Sequence, residues 1–129
     1  DQDGQHSSFF SSCVQAADYI ESRGFSKEQI NIGFPFYGTW EGGRMEQYAY
    51  NAISEEISPF NNFYTMKKSD TKEDRYTYFN SQAIIRDKTA YAYLKGYGGV
   101  MIFSQYCDLP SDDERSLTKA ISDYLQEVK

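Results

Sequence analysis

The chain has 129 residues, which is one domain's worth of sequence. Its 13 Lys and Arg against 19 Asp and Glu give a net charge of -6, which argues against binding to nucleic acid or to anionic membranes, since both need clustered cations. Apolar runs such as residues 100–103 are far short of the about 20 residues that a membrane span needs.

The first half of the chain predicts a helix and then a strand. Apolar residues recur on one face from Phe9 to Arg23, and Gly24 follows where a helix commonly ends. Residues 29–37 are typical of a mostly buried strand, with Pro35 near its end because proline has no N–H for the ladder. Residues 38–79 show no clean periodicity. We treat them as a long insertion or loop region, and short elements of its own remain one alternative.

The second half predicts a helix, a strand and a helix. Asn80 or Ser81 caps a helix that reaches about Lys95, and Gly96 ends it. Residues 98–104 form a short apolar strand. The apolar residues that we place on one face of the first of these helices are Ile84, Tyr91 and Leu94.

The last helix has the clearest apolar stripe in the chain. Ser111 and Glu114 match a capping box, which puts Asp112, Asp113 and Glu114 in the first turn. Strands that alternate with helices predict a parallel α/β sheet, and two strands cannot cover both faces of one. The pattern is therefore typical of the end of an α/β fold. The stripe consists of Leu117, Ala120, Ile121, Tyr124, Leu125 and Val128.

The sequence shows no metal site and no cofactor motif. Cys13 and Cys107 match no zinc spacing, and we favour two free thiols over one long-range disulfide. His6 is the only histidine and has no partner at ligand spacing, so it is interpreted as a loop residue. Glycine-rich phosphate loops and Ser-His-Asp or Cys-His arrangements are also missing. We expect neither a metal nor a cofactor.

Four segments, in order, resemble glycoside hydrolase family 18, the chitinases and chitinase-like lectins. Residues 33–38 (G-F-P-F-Y-G) resemble that family's G-x-P-x-Y-G strand, and residues 98–104 (G-G-V-M-I-F-S) resemble its last strand, G-G-V-M-x-W. Residues 24–32 resemble the segment that leads into the G-x-P-x-Y-G strand of the family. Residues 78–92 resemble the helix that leads into its last strand, and Lys88 takes the position of a lysine in that helix motif. The resemblance implies the seventh and eighth strands of a (β/α)8 TIM barrel, so that this chain is its C-terminal part.

The resemblance implies a glycosidase for β-1,4-linked N-acetylglucosamine polymers or glycans. In that family the acetamido oxygen of the sugar attacks its own anomeric carbon, so one carboxylic acid suffices. The acid belongs to a D-x-x-D-x-D-x-E motif of the fourth strand, which this sequence lacks. We therefore expect the chain to be inactive alone. The alternatives are a non-catalytic chitin- or oligosaccharide-binding protein and a stand-alone interaction domain.

The resemblance also points to sugar-binding residues. Tyr37 matches a tyrosine of the family's cleft, and Phe103 takes the position of the tryptophan beneath the sugar, although either could be a plain core residue. Trp40 either stacks on a sugar or packs under the insertion. Asp1 corresponds to the Asp of the family's M-x-Y-D motif if a tyrosine precedes it. Thr39 stands where many members have an arginine that would donate to sugar hydroxyls.

The implied partner is chitin or an N-acetylglucosamine-containing oligosaccharide, with no nucleic acid and no membrane. Family analogy implies a secreted or extracytoplasmic protein. The sequence begins at Asp1 without a leader-like segment, and we interpret it as a portion of a longer protein. Unpaired edges on strands 30–37 and 98–104 would favour a homo-oligomer or low stability for the isolated chain.

Overall fold

The computed structural model describes residues 10–40, 47–55, 57–61, 63–67 and 74–129. No helix in these ranges is both long enough and apolar enough to cross a membrane. Two single-turn 3-10 helices lie at Lys27–Gln29 and Gln105–Cys107. The other elements are α1 (Phe10–Ser22), β1 (Asn31–Pro35), β2 (Tyr37–Trp40), β3 (Gln47–Ala49), α2 (Tyr50–Ile53), β4 (Phe63–Lys67), β5 (Asp74–Tyr78), α3 (Gln82–Lys95), β6 (Gly99–Phe103) and α4 (Leu117–Glu127).

β1 and β6 form the predicted parallel pair, in a register that runs from Asn31 opposite Gly99 to Pro35 opposite Phe103. Successive side chains of a strand point to opposite faces of the sheet. On one face, Ile32 and Phe34 are buried in a core shared with residues of α1, α3 and α4. On the other face, Met101 and Phe103 are 54% and 61% exposed. The sheet is therefore covered by helices on one side only within the described ranges.

The predicted insertion contains a four-stranded antiparallel sheet in the order β3-β2-β5-β4. β2 starts two residues after β1 ends, so one stretch of chain passes directly from the parallel sheet into the antiparallel one. Gly38 allows β2 to lie close to β5, because a Cβ there would be 2.8 Å from Thr77 Cγ2 and 3.1 Å from the Tyr78 carbonyl oxygen. The region thus has elements of its own, anchored at the C-terminal end of β1.

The caps of α3 are confirmed, and on its predicted apolar face Ile84 and Tyr91 are half-buried. Ser81 Oγ accepts from the Ile84 N–H, and Gly96 ends the helix at a φ of 76°. Leu94, however, is 77% exposed. Two of the four residues that α3 buries are polar, so the apolar pattern gave only part of the buried face of the helix. The buried residues are Ile85, Lys88, Thr89 and Ala92.

α4 begins five residues later than the capping box predicts. Its N-cap is Ser116, whose Oγ accepts from the Lys119 N–H at 3.2 Å. The predicted box at Ser111 and Glu114 is wrong, because residues 111–115 form turns before the helix. The acidic residues 112–114 therefore lie outside its first turn. The carboxylate of Asp108 fixes the start instead, since it accepts from the first two N–H groups of α4, at 2.8 Å each.

This corrected helix start gives a direct stability test. Ser116→Ala should lower the free energy of unfolding by about 1 kcal/mol, the usual worth of an N-cap serine. Ser111→Ala changes an exposed residue and should leave the free energy of unfolding unchanged. Urea denaturation followed by circular dichroism measures both. An equal or larger loss at Ser111 would contradict the assignment of the cap to Ser116.

Candidate functional site

The C-terminal ends of β1 and β6 carry two of the predicted site residues. Tyr37 lies two residues beyond the end of β1, and Phe103 is the last residue of β6. Their rings meet edge to face, with centroids 6.4 Å apart and planes at 90°. Tyr37 is half-buried, whereas Phe103 is 61% exposed. The structure thus brings these two residues together as an aromatic surface, which we call the Tyr37–Phe103 pair.

Hydrogen bonds on both sides of Phe36 hold the backbone of this pair. The Phe36 N–H donates to the Phe103 carbonyl at 2.8 Å, so the ladder between β1 and β6 continues one residue beyond β1. The Phe36 carbonyl accepts from the Tyr50 N–H at 3.1 Å, at the start of α2. Phe36 itself is fully buried. The peptide bond after Phe103 is cis.

A buried polar pair on and before α3 reaches the same place. Lys88 and Asn80 are each 1% exposed. Lys88 Nζ donates to Asn80 Oδ1 at 2.7 Å, and Asn80 Nδ2 donates to the Pro35 carbonyl at 2.9 Å. Sequence reasoning gave Lys88 only as part of a motif and missed this connection. The available signal was its spacing from Ile85 and Ala92, which puts it on the buried face of α3.

Burial changes the titration of Lys88 and of its neighbour Cys13. Loss of solvent lowers the pKa of Lys88 to about 8, opposed by its attraction to the thiolate form of Cys13. Burial likewise raises the pKa of the Cys13 thiol, with Lys88 acting against it. Cys13 and Cys107 are free and half-buried, which confirms the favoured alternative of two thiols. Burial therefore disfavours the charged form of Lys88, although its amine donates to Asn80 inside the core.

The loop after β6 is held against α2. Asn51 Nδ2 donates to the carbonyls of Tyr106 and Asp108, at 2.7 and 3.2 Å. Asp108 is 8% exposed. Its carboxylate accepts four hydrogen bonds and so holds this loop to the start of α4. The donors are Ser116 Oγ and the N–H groups of Leu109, Leu117 and Thr118.

Of the other predicted site residues, Trp40 and Asp1, the structure describes only the backbone of Trp40. Trp40 ends β2, and its backbone pairs with Thr77 of β5 in the antiparallel sheet. The side chains of Trp40 and Thr39 lie outside the described residues, as does all of Asp1. Among the residues that the structure describes, no three His, Cys, Asp or Glu side chains are grouped to hold a metal.

The fold of this chain is similar to parts of several solved chitinase structures. A chitinase of Flavobacterium johnsoniae is 21% identical with a TM-score of 0.69, and the match covers 93% of this chain and 36% of that one. A chitinase of Bacteroides thetaiotaomicron is 23% identical with a TM-score of 0.68, covering 92% and 39%. Human YKL-39, described as a pseudo-chitinase with retained chitooligosaccharide binding, is 16% identical with a TM-score of 0.66, covering 88% and 40%.

These likenesses show the fold, and the chain spans well under half the length of each of the three structures. No curated protein matches the sequence. Residues 2–108 match the model of the glycosyl hydrolases family 18, and that match includes β1, β6 and the segment between them. The α/β fold is that of a part of the barrel of family 18 chitinases, as the sequence predicted. The chain therefore belongs to glycosyl hydrolase family 18.

Proposed function

We propose that this chain supplies part of the chitooligosaccharide-binding cleft of a chitinase-like glycoside hydrolase. The observation that carries the proposal is the Tyr37–Phe103 pair, which lies at the C-terminal ends of two parallel strands. Active sites of (β/α)8 barrels lie at that end of the barrel. An exposed aromatic ring beside a tyrosine suits a sugar, which has an apolar face and a polar rim.

The proposed role is to hold the sugar and not to protonate it. In substrate-assisted hydrolysis the acetamido group of N-acetylglucosamine is the nucleophile, and the protein supplies one acid together with a surface that orients the ring. Phe103 would lie beneath the sugar and Tyr37 beside it. The printed sequence holds no D-x-x-D-x-D-x-E motif. The acid of such a reaction would therefore come from residues other than those of this chain, which we expect to be inactive alone.

A second candidate is a non-catalytic protein that binds chitooligosaccharides. Two residues favour it: Phe103 is smaller than the tryptophan that the family resemblance leads one to expect, and Thr39 lacks the donors of an arginine. YKL-39 is an example of a pseudo-chitinase with retained chitooligosaccharide binding. Both candidates require the same binding by this chain, and they differ in whether an acid is present elsewhere in the barrel.

The common requirement can be tested by titrating the chain with chitohexaose and following its amide signals by NMR. Phe103→Ala and Tyr37→Ala should each weaken binding at least about fivefold, which corresponds to roughly 1 kcal/mol of lost aromatic contact. Phe103→Trp should strengthen binding, because it enlarges the apolar platform and adds an N–H donor.

Two controls make this test specific. Phe25→Ala removes a ring that is 53% exposed and lies before β1, toward the opposite end of the strands, so it should leave binding unchanged. Cellohexaose has the same linkage without acetamido groups and should bind more weakly than chitohexaose. Equal losses for Phe25→Ala and Phe103→Ala, or unchanged binding in both site variants, would argue against the proposal.

A further inference from the structure

The peptide unit between Pro35 and Phe36 is hydrogen-bonded at both of its polar atoms. Its N–H donates to the Phe103 carbonyl at 2.8 Å. Its carbonyl oxygen, that of Pro35, accepts from Asn80 Nδ2 at 2.9 Å. This unit lies one residue before Tyr37 and is hydrogen-bonded to the backbone of Phe103, so its orientation constrains the relative position of the two rings.

The bond on the carbonyl side depends on a second residue. An asparagine side chain can rotate by half a turn and exchange its donor for its acceptor. Lys88 Nζ donates to Asn80 Oδ1 at 2.7 Å, and because an ammonium group can only donate, it forces the oxygen toward itself. The Nδ2 group must then face Pro35. Lys88 thus fixes the direction of the hydrogen bond that holds the peptide unit.

We propose that Lys88 is a positioning residue for the Tyr37–Phe103 pair, acting through Asn80 on the Pro35–Phe36 peptide. The inference rests on the proposed function, in which the Tyr37–Phe103 pair binds the sugar. A buried ammonium group costs considerable desolvation energy, and a hydrophobic residue of similar size would often stabilise such a site at least as well. Its directional effect on Asn80 is a role that a purely apolar side chain would not fill.

Two variants break the chain of contacts at different bonds. Lys88→Met keeps the length of the side chain and removes the ammonium group. Asn80→Asp keeps an acceptor for Lys88, but the new carboxylate has no N–H for the Pro35 carbonyl. Thr89→Val is the matched control. It also removes a polar group from the buried side of α3: Thr89 is 2% exposed, and its hydroxyl donates to the Ile85 carbonyl of the same helix.

The test is NMR on the full chain at pH 6.5, below the pKa of about 8 of Lys88. In Lys88→Met and in Asn80→Asp, the ring-to-ring NOE between Tyr37 and Phe103 should be lost, and the Phe36 amide should exchange about tenfold faster as its peptide unit is released. Thr89→Val should retain both signals. The NOE between Tyr93 and Tyr124, whose centroids are 6.2 Å apart, should persist in every variant as a check on the contact of α3 with α4.

The outcomes separate this proposal from the proposed function. A folded Lys88→Met or Asn80→Asp chain that keeps the Tyr37–Phe103 NOE and the Phe36 protection overturns the positioning role. If Lys88→Met does not fold, Asn80→Asp alone decides. If the wild-type chain fails to bind chitohexaose while both variants lose the NOE, the positioning role stands and the proposed function fails. If the wild-type chain binds chitohexaose and the variants keep the NOE, the proposed function stands and the positioning role fails.

Discussion

Gly98→Ala should lower the free energy of unfolding by at least about 3 kcal/mol, the upper part of the usual range for overpacking. A Cβ at Gly98 would overlap the Glu28 carbonyl oxygen and would lie 3.1 Å from the Glu28 carbonyl carbon. These are backbone atoms, so no side chain can rotate out of the way. They are also held in place, because the Gly98 N–H donates to the carbonyls of Lys27 and Ile30, at 3.1 and 2.9 Å.

Urea denaturation of Gly98→Ala beside Gly33→Ala measures this effect. The nearest atom to a Cβ at Gly33 is the terminal carbon of Met101, at 3.4 Å, and a flexible methionine end can move. Gly33→Ala should therefore change the free energy of unfolding by less than about 1 kcal/mol. A Gly98→Ala chain within that same margin would show that the turn at Glu28 and the start of β6 are not packed as described.

The second large effect is expected for Asp108→Ala, at about 3 kcal/mol. Removal of the carboxylate leaves the N–H groups of Leu117 and Thr118 without their acceptor at the start of α4. Each donor left unpaired by such a change costs about 1–3 kcal/mol where it is buried. Asp108→Asn should lose less, because one oxygen can still accept while the amide group turns a donor toward other donors.

Asp113→Ala is the matched control for Asp108→Ala. Asp113 pairs with Arg115 at the surface, at 3.0 Å. Hydrogen bonds from Arg115 hold the pKa of the Asp113 carboxyl below its ordinary value. Exposed ion pairs contribute little to stability, so the urea midpoint should hardly move. If Asp108→Ala unfolds at the same urea concentration as Asp113→Ala, the Asp108 carboxylate does not organise the start of α4.

Local patterns predicted the parts of the fold whose signals are short in range. The helix ends at Gly24 and Gly96 and the Ser81 cap each depend on neighbours within a few residues, and α1 and α3 lie where these signals put them. The parallel pairing of β1 and β6 followed from the alternation of strands with helices. Local patterns did not predict the start of α4. The carboxylate that accepts from its first N–H groups belongs to Asp108, eight residues before the N-cap and outside any capping-box spacing.

The sequence pattern did not predict the antiparallel sheet, for a related reason. Its strands are three to five residues long, too short for alternation to stand out, and each is stabilised by partners distant in sequence, such as Thr39 opposite Tyr78. In the candidate site, the family resemblance named Tyr37 and Phe103. It could not show that a lysine on α3 reaches Pro35, since this depends on a buried polar face that hydrophobic periodicity hides.

Phe36 makes the junction between the two sheets stiff. Its N–H is bonded to β6 and its carbonyl to the start of α2, while its ring is fully buried. The antiparallel sheet begins at the next residue, so a tilt of this sheet relative to the parallel pair would strain these two hydrogen bonds. A sugar chain that lay along both sheets would meet a binding surface whose two sheets keep a fixed relative position. Discrimination among oligosaccharides at this surface would then depend on their length and shape, and not on closure of the cleft around them.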